Sequence, residues 1–292
     1  ARSAPRALIA LMRPHQWIKN GLLLAALVFS RRLFHPADVA FALVGLFAFC
    51  ALSSATYVVN DIVDREADRQ NPEKCDRPLA RGEVGLNAAI ALAVALGIAA
   101  LSLSVALGPS FLGVAVIYVG LQVAYSLWAK QVVVLDVIAV AVGFVLRAYA
   151  GGAAIDAPVS PWLVFITFVL ALFLVLARRR HELVALGDTA AAHRGALGSY
   201  SVRLLDQMIT IVAGATLVSY MIYTASGEIE AKLGTQNLYL TVPFVAFGIL
   251  RYLYLIEQYN EGGDPARLLL KDRPLRLAVL LWMGADVLLL YF

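Results

Sequence analysis

Apolar segments of about 20 residues recur along the chain and are separated by polar connections that are rich in Gly and Pro. A helix of that length crosses roughly 30 Å of hydrocarbon. The pattern therefore predicts an all-α, polytopic membrane protein with nine transmembrane helices, forming a single integral membrane domain over residues 1–292. The predicted spans are about 17–34, 38–60, 85–107, 110–129, 131–154, 160–178, 203–225, 237–256 and 275–292.

Three connections between the predicted spans are long, at about residues 61–84, 179–202 and 257–274. If the N-terminus is cytoplasmic, these connections and most Lys and Arg residues lie on the cytoplasmic side, and only Arg31, Arg32 and Lys232 lie on the other. Cytoplasmic loops of membrane proteins carry an excess of Lys and Arg. We therefore expect a multi-pass protein of the cell inner (plasma) membrane whose N-terminus and active site are cytoplasmic.

The composition supports this class of protein. Of the 292 residues, 61% are hydrophobic and 15% are charged, and the mean hydropathy is +0.78, unlike a soluble domain. The net charge of +4 is explained by loops beside membrane lipid, so no nucleic-acid partner is expected. Cys50 and Cys75 predict neither a disulfide framework nor a metal site. The first 17 residues predict an interfacial helix rather than a signal peptide. The oligomeric state stays open, and a homo-oligomer is among the alternatives.

The first long connection opens with a group of acidic residues. Its sequence, NDIVDREADRQNPEKCDRP, begins at Asn60 and places Asp61, Asp64 and Asp68 at the spacing N-D-x-x-D-x-x-x-D. On a helix these three carboxylates lie on one face, because 3 and 7 residues approximate whole turns. Grouped carboxylates repel one another and need a cation. Mg²⁺ is the expected one, since it prefers oxygen ligands and commonly binds substrate phosphates together with one or two carboxylates.

Two cations follow these acids, Lys74 and Arg77, and both suit phosphate oxygens. The alternative is a solvated helix whose acids align by chance. Against it, Asn60 and Asp61 directly abut a predicted span, and an acid in the centre of a membrane costs about 2.5–3.5 kcal/mol on insertion scales. The spacing therefore favours a metal and phosphate site.

Arg147 lies deep in the fifth predicted span, and Asp136 lies near the start of the same span. An intramembrane Arg commonly faces a polar cavity, so Arg147 is a candidate for substrate binding. The alternative is a structural role within the bundle. Direct pairing with Asp136 is excluded, because eleven residues of helix separate the two by roughly 16 Å.

The second long connection begins with three arginines, Arg178, Arg179 and Arg180, followed by Glu182. They could anchor the span end, or the guanidinium groups could hold phosphate oxygens with Glu182 orienting one of them. Lys19 and Lys130 also lie at predicted cytoplasmic span ends. Each could be an anchor, or could complete a cationic ring around a diphosphate.

These residues resemble a known family. The aspartate motif, followed by Lys74 and the Arg77-Pro78 pair and set among nine predicted spans, is similar to the UbiA-type prenyltransferase superfamily. The likeness covers nearly the whole chain. It implies that Asp61, Asp64 and Asp68 bind Mg²⁺ and a diphosphate at the mouth of a helical bundle whose lateral opening admits a polyprenyl chain.

A narrower resemblance is to the decaprenyl-phosphate phosphoribosyltransferase subfamily. Four stretches carry it: RPHQWIKN from Arg13, the aspartate motif, LDVIAVAVGFVLRAYAGG from Leu135, and RRRHEL from Arg178. It implies that the bound donor is 5-phosphoribosyl diphosphate (PRPP), that the acceptor is polyprenyl phosphate, and that the product enters cell-wall arabinan precursor synthesis. Residues expected to contact substrate are Lys19, Asn60, Lys74, Arg77, Lys130, Arg147, Arg178, Arg179 and Glu182.

One departure from the wider superfamily favours the narrower resemblance. Aromatic prenyltransferases usually carry a second aspartate-rich segment after the sixth span, whereas this chain has only Glu182 and Asp188 there, beside a basic cluster. In the subfamily the position of Arg180 is commonly aromatic or small, so the resemblance assigns it no role. Two other functions stay open: transfer of a prenyl group from prenyl diphosphate to a small acceptor, and transport.

Overall fold

The computed structural model describes residues 4–70, 75–187 and 196–292. All regular structure in these ranges is helical. The α-helices are α1 (Ala4–Met12), α2 (Ala25–Phe29), α3 (Pro36–Val63), α4 (Arg65–Gln70), α5 (Leu86–Ala106), α6 (Pro109–Leu127), α7 (Leu135–Ala154), α8 (Pro161–Leu186), α9 (Val202–Thr224), α10 (Gly227–Leu233), α11 (Val242–Tyr259), α12 (Pro265–Lys271) and α13 (Arg273–Tyr291). Short 3₁₀ helices cover Pro14–Leu24, Ala129–Gln131, Leu197–Ser199 and Leu238–Thr241.

Eight helical segments in the described ranges are long and apolar enough to cross a membrane, which confirms the predicted all-α, multi-pass architecture. The first predicted span, about 17–34, is not a single α-helix. The chain there forms the 3₁₀ helix Pro14–Leu24 and continues as α2. Eleven residues are a long run for this tighter helix, which packs between α3 and α7.

Helix α7 lies at the centre of the bundle and is the most buried of the eight segments. On one side it packs in an apolar cluster with α2, α3 and α6. On the other side it contributes Val137 to a second cluster, which is built from α8, α9, α11, α12 and α13. The two halves of the bundle therefore meet along α7.

Most of the predicted site residues lie where α3 and α8 end and α12 begins, and we call this end of the bundle the motif end. Helix α1 packs over it, with Ala7 and Leu11 fully buried against Val58 of α3 and Leu79 of the following connection. The predicted interfacial helix is thus partly covered by protein. It closes one side of the motif end.

Arg180, to which the sequence assigns no role, ties three segments together at the motif end. Its side chain is buried, and its guanidinium donates to Asp206 Oδ1 of α9 at 2.5 Å and to Asn260 Oδ1 after α11 at 3.0 Å. Glu257 Oε2 lies 3.4 Å from the third nitrogen. This tie holds α8 against α9 and α11.

Gly151 allows the closest approach between the 3₁₀ helix and α7. A Cβ atom at this position would lie 2.0 Å from the Leu23 carbonyl oxygen, a distance that no side chain can adopt without moving the backbone. Because the 3₁₀ helix carries Lys19, this contact also sets the position of that ammonium relative to α7. The absence of a side chain at Gly151 is therefore part of how the site is built.

We predict that Gly151→Ala destabilises the protein by about 1–3 kcal/mol, the usual cost of overpacking a tight contact. The matched control is Gly97→Ala, because a Cβ at Gly97 of α5 meets nothing within 4 Å and Ala favours a helix. Thermal unfolding in detergent measures both variants. Equal midpoints for Gly151→Ala and the wild type would refute the close-packing argument.

We predict that Arg180→Met lowers the free energy of unfolding by about 1–3 kcal/mol, because it leaves the Asp206 carboxylate without its charged donor. Arg203→Gln serves as the control, since it removes the same charge from an exposed position on α9. Chemical denaturation in detergent is the measurement. Equal free energies of unfolding for the two variants would show that the Arg180 contacts contribute nothing to stability.

Candidate active site

The predicted helical spacing of the three aspartates is preserved through a break in the helix. Helix α3 ends at Val63 and α4 begins at Arg65, yet the amide of Asp64 donates to Asn60 O at 2.9 Å and the amide of Asp68 donates to Asp64 O at 2.8 Å. The i to i−4 hydrogen bonds therefore continue across the break. As a result, Asp61 and Asp68 point to the same place.

Two arginines neutralise these buried acids. Asp61 and Asp68 are each about 2% exposed. Asp61 Oδ1 accepts from Arg13 Nη2 at 2.6 Å and from Arg77 Nη1 at 3.0 Å. The same Nη1 of Arg77 donates to Asp68 Oδ2 at 2.6 Å. One guanidinium nitrogen therefore joins the two carboxylates.

This geometry suits an oxygen-binding cation. Oxygens from Asp61 and Asp68 converge on a single positively charged point, and Mg²⁺ is typically held by one or two carboxylates and substrate phosphates. No group of three His, Cys, Asp or Glu is arranged to hold a metal ion in the ranges that the structure describes. Of the three predicted acids, Asp61 and Asp68 converge, and Arg13 and Arg77 supply the donors that they contact. Asp64 is half-buried at the helix break.

Sequence reasoning missed the partnership between Arg13 and Asp61. Arg13 stands before Pro14 with a left-handed backbone, φ 53°, so the chain turns there between α1 and the 3₁₀ helix. The turn directs the guanidinium toward α3, where it also lies 5.2 Å from the centre of the Tyr57 ring. The available signal was the RPHQWIKN stretch, which carried the resemblance but gave Arg13 no role in the site.

Three further residues were predicted to contact substrate: Asn60, Lys74 and Lys130. Asn60 Oδ1 accepts from Ser126 Oγ at 3.2 Å and so joins α3 to α6. Lys74 lies outside the described residues. Lys130 is half-buried in its 3₁₀ turn, and no ion pair links it to the acids of the described ranges. The structure therefore does not bring Lys130 into the group around Arg77.

The arginines at the end of α8 have separate roles. Arg179 is buried and donates through Nε to Asp136 Oδ2 at 2.8 Å and through Nη1 to Glu182 Oε2 at 2.8 Å. Arg178 donates to Glu182 Oε1 at 2.9 Å, but 47% of its side chain stays exposed. Arg179 is thus held internally, whereas Arg178 keeps an accessible charge.

Asp136 is the residue that fixes Arg179. Its second oxygen accepts from the Tyr200 hydroxyl at 2.9 Å. Burial is the main reason why the pKa of Tyr200 is raised to about 12. The Asp136 carboxylate acts in the same direction, and the hydrogen bond from the Val134 amide acts in the opposite one. The phenol therefore remains a hydrogen-bond donor at neutral pH. Sequence spacing excluded a pair between Asp136 and Arg147 but did not identify this partner. The pairing is between helices, and no local pattern marks it.

Arg147 is buried and has polar partners rather than a carboxylate. It donates to Asn20 Oδ1 at 2.8 Å, to the Gly143 carbonyl at 2.7 Å and to the Tyr118 hydroxyl at 3.0 Å. Within the described residues it forms no ion pair. Arg147 therefore joins α7 to α6 and to the 3₁₀ helix, and it fixes Asn20, the neighbour of Lys19.

A cavity of about 580 Å³ runs inward from Arg178 and Arg179. Lys19 lies at the same end, where it is close enough to Arg178 and Arg147 for their charges to act on it. The walls beyond are mostly apolar side chains of α7, α8, α11 and α13. The cavity reaches Ser30, eleven residues after Lys19, and is therefore roughly 20 Å deep at helical rises of 1.5–2.0 Å per residue.

An aromatic cluster lies at the far end of this cavity. The Tyr223 ring lies 6.5 Å from that of Phe29, edge to face, and 6.1 Å from that of Tyr220. Trp282 Nε1 donates to the Tyr220 hydroxyl at 2.8 Å. The cavity thus combines a cationic mouth, an apolar wall and an aromatic floor, which suits an amphiphile with an anionic head and a hydrocarbon chain.

Known proteins resemble this chain over most of its length. Residues 21–279 match the model of the UbiA prenyltransferase family. The chain is 36% identical to the decaprenyl-phosphate phosphoribosyltransferase of Mycolicibacterium smegmatis, over 98% of this chain and 92% of that protein. It is 34% identical to the enzyme of the same name from Corynebacterium glutamicum, over 97% of this chain and 86% of that protein.

A solved structure shares the fold at lower sequence identity. The UbiA homolog from Archaeoglobus fulgidus, bound to GPP and Mg²⁺, superposes with a TM-score of 0.71 at 20% identity, covering 98% of this chain and all of that one. The family match, the full-length relatives and the shared fold lead to one assignment. This chain belongs to the UbiA prenyltransferase family.

Proposed function

We propose that this protein transfers 5-phosphoribose from PRPP to a polyprenyl phosphate of the decaprenyl type and releases diphosphate, with Mg²⁺ as cofactor, in cell-wall arabinan precursor synthesis. The observation that carries the proposal is the cavity, which has Lys19 and Arg178 at its mouth and apolar walls behind them. Full-length similarity to decaprenyl-phosphate phosphoribosyltransferases supports this choice of substrates.

The cavity suits the acceptor. A polyprenyl chain would lie along the apolar wall, which removes it from water, and its phosphate would meet Lys19 and the exposed part of Arg178. Arg179 has Asp136 and Glu182 as partners, so its role in this proposal is to hold the end of α8 and Glu182 in place. The acceptor phosphate is then close to the aspartate site.

The aspartate site suits the diphosphate of the donor. Asp61 and Asp68 would hold Mg²⁺, with Asp64 as the third acid of the motif. When bound, Mg²⁺ neutralises charge on the departing diphosphate. Arg77, and Lys74 from the same connection, offer donors to the remaining phosphate oxygens. These cations also reduce the repulsion between two anionic substrates.

The transfer is a substitution at C1 of the ribose. An oxygen of the lipid phosphate donates an electron pair to C1, the bond from C1 to the diphosphate oxygen breaks, and that pair leaves with the diphosphate. The attacking phosphate is already anionic, so no strong general base is required. The demands on the protein are orientation of two substrates and stabilisation of the leaving group's charge.

PRPP is a soluble metabolite, so the motif end has to face the compartment that contains it. The asymmetry of Lys and Arg supports the cytoplasmic side of the plasma membrane. In this orientation the donor enters from water, while the acceptor enters from the bilayer.

Labelled PRPP, polyprenyl phosphate, Mg²⁺ and purified protein should yield a labelled lipid. We predict that Asp64→Asn lowers the rate of this transfer by about 100-fold or more. Losses of this size are typical when a group that stabilises charge in the transition state is removed. Asp76→Asn is the control, because it removes an acid of the same connection whose side chain is 80% exposed. Undiminished transfer by Asp64→Asn, or transfer only with prenyl diphosphate as donor, would reject the proposal.

Arg178→Gln should raise the KM for polyprenyl phosphate by about tenfold or more, since a hydrogen bond to a charged group is worth roughly 1.5–3 kcal/mol. The KM for PRPP should stay unchanged. Steady-state kinetics with each substrate varied in turn provide the measurement, with Arg203→Gln as the charge-matched control. The reverse result would place the donor, rather than the acceptor, at this end of the cavity.

A further inference from the structure

Arg77 occupies the position that a metal ion would need. Its Nη1 lies 3.0 Å from Asp61 Oδ1 and 2.6 Å from Asp68 Oδ2, and both carboxylates are only 3% exposed. Buried acids so close together need a positive charge between them if both are to stay ionised. A nitrogen and a metal ion cannot fill the same point, so a cation that binds both oxygens has to displace Arg77.

Arg77 is more accessible than the two acids with which it pairs. Its side chain is 27% exposed, and it belongs to the connection between α4 and α5 rather than to a membrane-crossing helix. Arg13 differs in this respect, because, of the two acids, it pairs with Asp61, and it also lies over the Tyr57 ring. If Arg77 moves away, Asp61 retains Arg13, while Asp68 loses the donor that links it to Asp61.

We infer that Arg77 is the resident counter-cation of the aspartate pair when no metal is bound, and that an incoming divalent metal with a diphosphate displaces it. The freed guanidinium then binds the diphosphate that arrives with the metal. This inference rests on the proposed function for the identity of the donor. The competition between Arg77 and the metal follows from the side-chain geometry alone.

Two consequences distinguish this arrangement from a preformed metal site. A metal ion alone has to break two partly buried ion pairs, so it binds weakly. Diphosphate gives the displaced Arg77 a new partner, so diphosphate and metal each raise the affinity for the other, by equal factors. The protein therefore favours the metal–diphosphate complex over the free metal.

The test uses the full-length protein in detergent, with Mn²⁺ as the probe. Electron paramagnetic resonance measures the concentration of free Mn²⁺ and so gives the affinity of the protein for it. Arg77→Gln should bind Mn²⁺ at least about tenfold more tightly than the wild type without diphosphate, because the competitor is gone. Added inorganic diphosphate should then raise the Mn²⁺ affinity less than it does in the wild type. Arg81→Gln, from an arginine of the same connection that pairs with Asp76, should match the wild type.

Equal or weaker Mn²⁺ binding by folded Arg77→Gln would overturn the inference. If Arg77→Gln unfolds without metal, Mn²⁺ should restore its thermal midpoint. Mn²⁺ should restore the thermal midpoint of Arg77→Met in the same way. Failure of Mn²⁺ to rescue both variants would show that Arg77 is structural and would equally overturn it. Because no transfer is measured, loss of the proposed lipid product in the separate assay would reject the proposed function without affecting this result.

Discussion

The structure depends on neutralising charge inside a bundle that offers little water. The buried acids described at the motif end are each paired with a guanidinium: Asp61 with Arg13 and Arg77, Asp68 with Arg77, and Asp136 with Arg179. Breaking such a pair by removing one partner commonly costs several kcal/mol. The pairs therefore do more than contribute stability. They determine which segments meet, and so they place a cationic cavity mouth beside an acidic site.

The arginines divide this work according to their exposure. Arg179 and Arg180, both buried, connect α8 to its neighbours through Asp136 and Asp206. Arg178, one position earlier, points its charge toward the cavity. Three consecutive residues on a helix face in three directions, because each step rotates by about 100°. The run RRR thus joins two structural ties to one accessible cation.

The membrane architecture was predictable from the sequence because hydrocarbon thickness fixes the length of an apolar helix. The alignment of Asp61 with Asp68 was predictable from helical periodicity. The pairs Arg13–Asp61 and Asp136–Arg179 were not, since they join segments 48 and 43 residues apart, and a single sequence carries no signal for such contacts. The 3₁₀ helix was missed for a related reason. Its residues continue into an apolar stretch of ordinary span length, while its geometry reflects close packing against Gly151.

The depth of the cavity has a consequence for how a long lipid is recognised. From Lys19 to the aromatic floor the distance is roughly 20 Å, which is less than the length of an extended decaprenyl chain. An acceptor bound as proposed would therefore place only its first isoprene units within the protein, and the remainder would stay among the bilayer lipids. Selection by the protein would then act on the isoprene units nearest the phosphate and not on the total number of units.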